Sequence, residues 1–156
     1  MRKKLTTNKV FGEVAKELNF YGSGLTRYIV FSSYYLLINH QKSSYSKCFY
    51  VNVGLIYKDL LDNSLSDYEI LGAYKVKEPT APIHVDFRIE CFPLAPFGLQ
   101  EKLDYLTRSG KMDELKSLLL KVFRKLIIFV EENYDRKNIR KLQDERKLSA
   151  MVMKEV

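Results

Sequence analysis

The stretch from Tyr28 to Tyr57 decides the fold of this chain: it reads YIVF at residues 28–31, YYLLINHQ at 34–41 and CFYVNVGLIY at 48–57. These three runs are rich in β-branched, aromatic and other apolar residues, which favour β-strands. The two longer runs are separated by a short polar segment, residues 42–47. This arrangement predicts a β-hairpin with a longer loop, and we expect the rest of the chain to cover it.

A further strand is predicted between about Ile83 and Phe92, because apolar and polar residues alternate there more clearly than anywhere else in the chain. Its apolar positions are Val85, Phe87, Ile89 and Cys91, and its polar positions are His84, Asp86, Arg88 and Glu90. This pattern is typical of an antiparallel sheet with one face packed and the other face wet. A weaker strand is predicted from Glu69 to Val76.

Helical spacing of apolar residues predicts four helices, at residues 7–19, 100–107, 112–133 and 136–153. The third has the strongest apolar stripe, and the last has the weakest one, set among many charges. The sequence therefore predicts an α+β fold with an antiparallel sheet of four to five strands and with N-terminal and C-terminal helices packed mainly on one face. We expect residues 1–156 to form a single domain, with 135–156 as a peripheral C-terminal helix.

The composition excludes several classes of protein. With 46% apolar and 29% charged residues, the chain is ordinary for a globular domain and unlike a disordered one. The basic N-terminus is not followed by the apolar segment of a secretory signal, and the longest apolar run, Leu126 to Val130, is far below the ~20 residues that span a bilayer. We therefore expect a cytoplasmic protein without a membrane segment, in which Cys48 and Cys91 are buried free thiols.

The motifs of familiar catalytic and metal sites are missing from the sequence. It has two histidines and two cysteines, but neither the Cys-x-x-Cys nor the His-x-x-x-His spacing of a zinc site. It also lacks the Gly-x-Ser-x-Gly motif of a nucleophile elbow and the Gly-rich loop that binds phosphates. We therefore predict no catalytic residues, no metal and no cofactor, although an enzyme built from scattered residues stays open.

The candidate ligand-binding residues lie at the polar end of the hairpin and on the later strand: Asn39, His40, Gln41, Lys42, Ser43, Asn52 and Arg88. Asparagine and glutamine are disfavoured inside strands unless they are exposed, paired or functional. The structural alternative is a hydrogen-bonded turn in which Gln41 and Ser43 bind backbone groups. For Arg88, the alternatives are an anion site and a charge ladder with its neighbours on the wet face.

The segment from Asn39 to Gly54 resembles the signature of an uncharacterised bacterial family, the domain-of-unknown-function family 4304. In that family a strand ending in Asn-x-Gln-Lys-Ser is followed by a strand like Phe-Tyr-Val-Asn-Leu-Gly. The helix before Phe20 and the strand that contains Arg88 also fit its layout. This chain departs from the family at residues 20–24, where a lysine-rich turn often stands. The resemblance implies a small bacterial cytosolic α+β domain, and it implies no activity.

Three functions remain open from the sequence. The first is a non-catalytic binding or protein-interaction module, because no constellation for catalysis is evident. The second is a nucleic-acid-binding protein, because both ends of the chain are basic and the predicted sheet is rich in tyrosine. The third is an enzyme of unrecognised type with its site at the polar end of the hairpin. The apolar residues near Met151 also predict a homodimer, because methionine-rich ends are adaptable contact surfaces.

Overall fold

The computed structural model describes residues 5–61 and 83–156. These ranges contain four α-helices, α1 (Thr7–Glu17), α2 (Leu99–Arg108), α3 (Met112–Asn133) and α4 (Arg136–Asp144). They also contain five strands, β1 (Thr26–Val30), β2 (Tyr34–Lys42), β3 (Phe49–Tyr57), β4 (Val85–Arg88) and β5 (Met151–Val152). The strands form one antiparallel sheet in the order β1-β2-β3-β4-β5, which confirms the predicted α+β class. The predicted strand from Glu69 to Val76 lies outside the described residues.

The predicted hairpin is the centre of this sheet. Strands β2 and β3 have 9 residues each, and they pair along their whole length, from Tyr34 opposite Tyr57 to Lys42 opposite Phe49. Their loop is short and polar, as the sequence predicted. Because the side chains of a strand alternate between its two faces, this register decides which hairpin residues face the helices.

The helices pack on one face of the sheet, and the main hydrophobic core lies between them and the strands. Apolar residues of β2, β3 and β4 that share this face are fully buried, and so are the apolar stripes of α1 and α3. Phe123 of α3 contacts Phe11 of α1 edge-on, with ring centroids 6.0 Å apart, and it also lies next to Phe20. No helix within the described ranges is long and apolar enough to cross a membrane.

The opposite face of the sheet carries a second, smaller apolar cluster. Tyr35, Leu37 and Ile56 are each no more than 1% exposed, and Tyr28 and Val30 of β1 pack against them. The apolar part of that face lies near the start of β2, whereas the polar part lies near its end.

Strand β4 is shorter than predicted. It ends at Arg88, and a 3-10 turn, Ile89–Cys91, follows it. His84 was predicted to face water, but it is 2% exposed. Its Nδ1 accepts a hydrogen bond of 2.9 Å from the backbone N–H of Tyr57. This histidine therefore satisfies a backbone donor at the end of β3. Alternation did not predict the position of His84 because the residue precedes the first paired residue of β4.

The C-terminal segment also differs from the prediction. The helix predicted to reach Met153 ends at Asp144, and Arg146 adopts a left-handed backbone with φ of 58°. The chain then returns to the sheet, where β5 pairs with the outer edge of β4 and the N–H of Met153 donates to the carbonyl of His84 at 2.8 Å. Leu148 is fully buried in the main core, so part of the apolar end of this segment is covered by its own chain.

Candidate ligand-binding cleft

The hairpin divides the predicted site residues between the two faces of the sheet. Asn39 and Gln41 lie on the face opposite the helices, whereas His40 lies on the helical face, and Lys42 follows it at the end of β2. Ser43 lies in the loop, where its Oγ accepts a hydrogen bond of 3.2 Å from the N–H of Tyr45. The candidate residues therefore contribute to two separate places.

On the face opposite the helices, three amide side chains hydrogen-bond one another. Asn52 lies directly opposite Asn39 in the sheet, and its Nδ2 donates to Asn39 Oδ1 at 3.1 Å and to Gln41 Oε1 at 2.8 Å. Asn39 Nδ2 in turn donates to Thr26 Oγ1 at 2.9 Å. Cross-strand pairs of this kind stabilise a sheet by about 0.2–1 kcal/mol each. Gln41 therefore pairs with a side chain, not with the backbone group that the turn hypothesis predicted.

Arg88 lies beside this amide cluster, opposite Asn52 in the β3–β4 register. Its guanidinium carbon is 4.0 Å from the centroid of the Tyr50 ring, which is a cation–π contact. The predicted charge ladder is not formed, because Arg88 makes no ion pair with any residue in the described ranges. A cavity of about 210 Å³ adjoins the cluster, and Asp86 lines it with a pKa raised by burial. That cavity is smaller than the 300–1,000 Å³ typical of small-molecule sites.

On the helical face, His40 is held between aromatic rings. It is 5% exposed, it stacks on Phe49 with ring centroids 4.7 Å apart, and it meets Phe11 edge-on. Its Nε2 lies 2.9 Å from Thr7 Oγ1, at the start of α1, and its buried Nδ1 has no hydrogen-bond partner in the described structure. Burial lowers the pKa of His40, so the ring is neutral at pH 7.

A cleft of about 810 Å³ opens beside His40, between the start of α1, the end of the hairpin and the turn that joins α2 to α3. Its size is within the range of small-molecule sites. The backbone N–H of His40 donates to the carbonyl of Leu25 at 2.8 Å. This bond holds Leu25, the residue just before β1, beside the hairpin at one side of the cleft. The lining residues are Leu5, Thr6, Thr7, Asn8, Leu25, His40, Lys42, Lys47, Thr107, Arg108, Gly110, Met112 and Asp113.

Three cations lie around this cleft, two from the end of the hairpin and one from the end of α2. Lys42 ends β2, Lys47 belongs to the hairpin loop, and Arg108 ends α2. All three are exposed, and none forms an ion pair within residues 5–61 and 83–156. Asp113 contributes a single carboxylate, so the charged side chains that line the cleft have a net charge of about +2 when His40 is neutral.

Two helices begin at the cleft. Thr6 is the N-cap of α1 and Lys111 is the N-cap of α3, and neither side chain accepts a hydrogen bond from the first turn of its helix. The Thr6 hydroxyl instead contacts Asn8 Oδ1. The first backbone N–H groups of a helix have no intrahelical partner and carry a partial positive charge. The helix starts therefore add hydrogen-bond donors and positive potential to the three cations.

The described residues do not include a group of three or more His, Cys, Asp or Glu side chains placed to hold a metal ion. Cys48 and Cys91 are free thiols, and Cys48 is buried as predicted. His84 accepts from the Tyr57 backbone, at the opposite end of β3 from the hairpin loop. Among the residues considered for metal or nucleophile chemistry, only His40 lines the cleft.

Sequence reasoning identified His40 and Lys42 but missed Thr7, Lys47 and Arg108 as partners in the same place. The turn at Ser109–Gly110 was the available signal, because it places the end of α2 and the start of α3 together. Which end of the sheet that turn approaches depends on helix packing, which the sequence does not display.

The family model named "Domain of unknown function (DUF4304)" matches residues 11–132. The chain belongs to the DUF4304 family. The match confirms the resemblance that the hairpin residues indicated, and it includes β1 to β4, α2, most of α1 and all but the last residue of α3. Neither the search of curated proteins nor the search of solved structures found a match.

The DUF4304 match includes most of the cleft. Lys42, Lys47 and Arg108 lie within the matched residues, whereas Thr7 precedes them and α4 and β5 follow them. The cleft is therefore formed mainly by the part of the chain that defines the family. Membership assigns no activity, because the family is named only as a domain of unknown function.

Proposed function

We propose that this DUF4304 chain is a non-catalytic binding module whose ligand occupies the cleft at the polar end of the central hairpin. The observation that supports this proposal is the cleft itself, because four separate stretches of the chain form one concave site of about 810 Å³. It combines apolar surface from Leu5, Leu25 and Met112 with many polar and charged side chains, which can fix the orientation of a ligand.

An enzyme is the second candidate, and one contact favours it. The Thr7 hydroxyl lies 2.9 Å from His40 Nε2, which is the spacing of a nucleophile and its base. A histidine base of that kind needs an orienting group on its other nitrogen, and His40 Nδ1 has none in the described part of the chain. Burial also lowers the pKa of His40 and opposes the imidazolium that proton transfer requires. These two features favour binding over catalysis.

The binding proposal is tested by filling the cleft. Leu25 lines it and is 45% exposed, so Leu25→Trp places an indole in the opening. A metabolite library is screened by thermal shift on the full chain. A ligand at 100 times its Kd adds about 2.7 kcal/mol of stability, which raises Tm by roughly 5–10 °C in a chain of this size. We expect Leu25→Trp to abolish the shift.

The matched control is Leu94→Trp. Leu94 is 47% exposed, almost the same as Leu25, but it does not line the cleft. Compounds that stabilise the wild type should stabilise this variant equally. A library without any stabilising compound, or hits that survive Leu25→Trp unchanged, would contradict the proposal.

A further inference from the structure

We infer that the ligand of this cleft is a small molecule with a phosphate monoester joined to an apolar body. The inference rests on the proposed binding function and adds the chemical class of the ligand. It is carried by the cations around the cleft, by the two helix starts and by the buried His40.

The first step concerns charge. Lys42 and Lys47 at the end of the hairpin and Arg108 at the end of α2 surround one cleft, and none of them forms an ion pair in the described ranges. With Asp113 included, the charged lining has a net charge of about +2, which matches a phosphate monoester above its second pKa of about 6. A carboxylate carries one negative charge and two oxygens, whereas a phosphate presents three oxygens to cations on different sides.

The second step concerns the neutral donors. The first turns of α1 and α3 lie at the cleft, and helix starts bind phosphate through backbone N–H groups that have no intrahelical partner. His40, which forms part of the wall, is 5% exposed and has an unpartnered Nδ1 in the described structure. A buried polar atom without a partner is uncommon in a folded protein and often marks a functional site.

The third step concerns the rest of the ligand. A bare phosphate ion occupies a small part of about 810 Å³, and the side chains of Leu5, Leu25 and Met112 provide apolar surface beside the cations. An apolar or aromatic body gains from contact with that surface, since its transfer from water is favourable. The cleft therefore fits a phosphate ester better than free phosphate.

The test compares four probes on the full chain: phenyl phosphate, phenyl sulfate, phenol and inorganic phosphate. Binding is followed by calorimetry and by amide chemical shifts. We expect phenyl phosphate to bind most tightly, about tenfold or more over the singly charged sulfate and over inorganic phosphate, and to shift the amides of Thr7, Lys42 and Arg108. Its affinity should fall as salt is added, because the cations are exposed.

Charge-neutralising variants locate the phosphate. Lys42→Gln, Lys47→Gln and Arg108→Gln should each weaken phenyl phosphate binding about tenfold. Lys121→Gln is the matched control, since Lys121 is an exposed lysine of α3 that does not line the cleft. This variant should bind phenyl phosphate with the same affinity as the wild type.

The outcomes separate this inference from the binding proposal. Phenol that binds the cleft as tightly as phenyl phosphate, or phosphate binding that is unaffected by all three variants, would overturn the inference. The binding proposal would then stand if library hits remained sensitive to Leu25→Trp. A chain that shows no cleft shifts with phenyl phosphate at millimolar concentration also overturns the inference, and the library screen then decides the binding proposal separately.

Discussion

Gly54, in the middle of β3, shows how closely the chain approaches the sheet from the face opposite the helices. A Cβ atom at this position would lie 2.9 Å from Cγ2 of Ile83 and 3.8 Å from Cβ of Leu37. Glycine inside a strand often marks such a close approach. We predict that Gly54→Ala lowers the free energy of unfolding by about 1–3 kcal/mol, the usual cost of overpacking a core. Urea denaturation measures this change.

Gly24→Ala is the control for that substitution. A Cβ at Gly24 meets no atom within 4 Å, and the Gly24 carbonyl that accepts from Arg27 Nε is retained. Alanine at a compatible loop position stabilises by about 0.4–1 kcal/mol through the unfolded state. Equal effects of the two substitutions would contradict a steric origin for the cost at Gly54.

The two buried histidines predict a stability that falls in mild acid. Burial lowers the pKa of His40 and of His84 below the ordinary value of 6.5. The unfolded chain therefore binds protons first as the pH falls below 6.5, so the folded state loses stability from there down to the folded pKa. Above 6.5 both states are neutral at these positions, and the two groups add no pH dependence.

His84→Asn isolates one of these groups. The Asn Oδ1 replaces Nδ1 as the acceptor for the Tyr57 N–H, but it does not titrate. We predict that the loss of unfolding free energy between pH 7 and pH 5 is smaller in this variant, by at most about 1.4 kcal/mol per pH unit for a single group. Denaturation curves at several pH values measure this difference. If the unfolding free energy of the variant changed with pH as much as that of the wild type, groups other than His84 would cause the pH dependence.

At the scale of elements, the hairpin was predictable because its signals are local. Alternation placed Asn39 with Gln41 on one face and His40 on the other, and the register confirms that division. The apolar stripe of α3 likewise needed only its own spacing. The end of α4 was not predictable in this way, because the residues after Asp144 are drawn to the open edge of β4, a long-range pairing that local propensity does not contain.

Arg140 of α4 holds the segment that contains β5 in place through hydrogen bonds. Its guanidinium donates to the carbonyl of Met153 at 2.7 Å and to the carbonyl of Val156 at 3.1 Å. We predict that Arg140→Gln opens this segment locally, since bonds from a charged donor are worth about 1.5–3 kcal/mol. Amide exchange at Val152 and Met153 should become roughly 10–100 times faster, while the amides of β2 and β3 keep their protection.

Lys141→Gln is the control on the same helix. The Lys141 side chain is 72% exposed and its one ion pair, with Glu145, is 4.0 Å long, so it holds no part of β5. Its exchange rates should match those of the wild type. Fast exchange throughout the sheet in Arg140→Gln would indicate that α4 and β5 support the whole fold and not only its edge.

At the scale of the whole molecule, the cleft depends on contacts between segments that are far apart in the sequence. Thr7, Lys42 and Arg108 meet only because α1 and α2 pack against α3 over the same face of the sheet. Each segment was predicted correctly as a helix or strand. That the three segments meet at the same end of the fold was not predicted. Helix positions over a sheet are decided by the shapes of many side chains together, and a single sequence displays none of those contacts.

The sheet order also has a consequence for the chain while it is being made. Strand β5 is translated after the other four strands and after all four described helices. Until then β4 is the border of the sheet on that side, and its unpaired backbone groups are available to other nascent chains. Strand β4 has only 4 residues, and its Asp86 and Arg88 put opposite charges on that border. Short length and charge both discourage strand addition, so this edge of the growing polypeptide is protected before β5 is made.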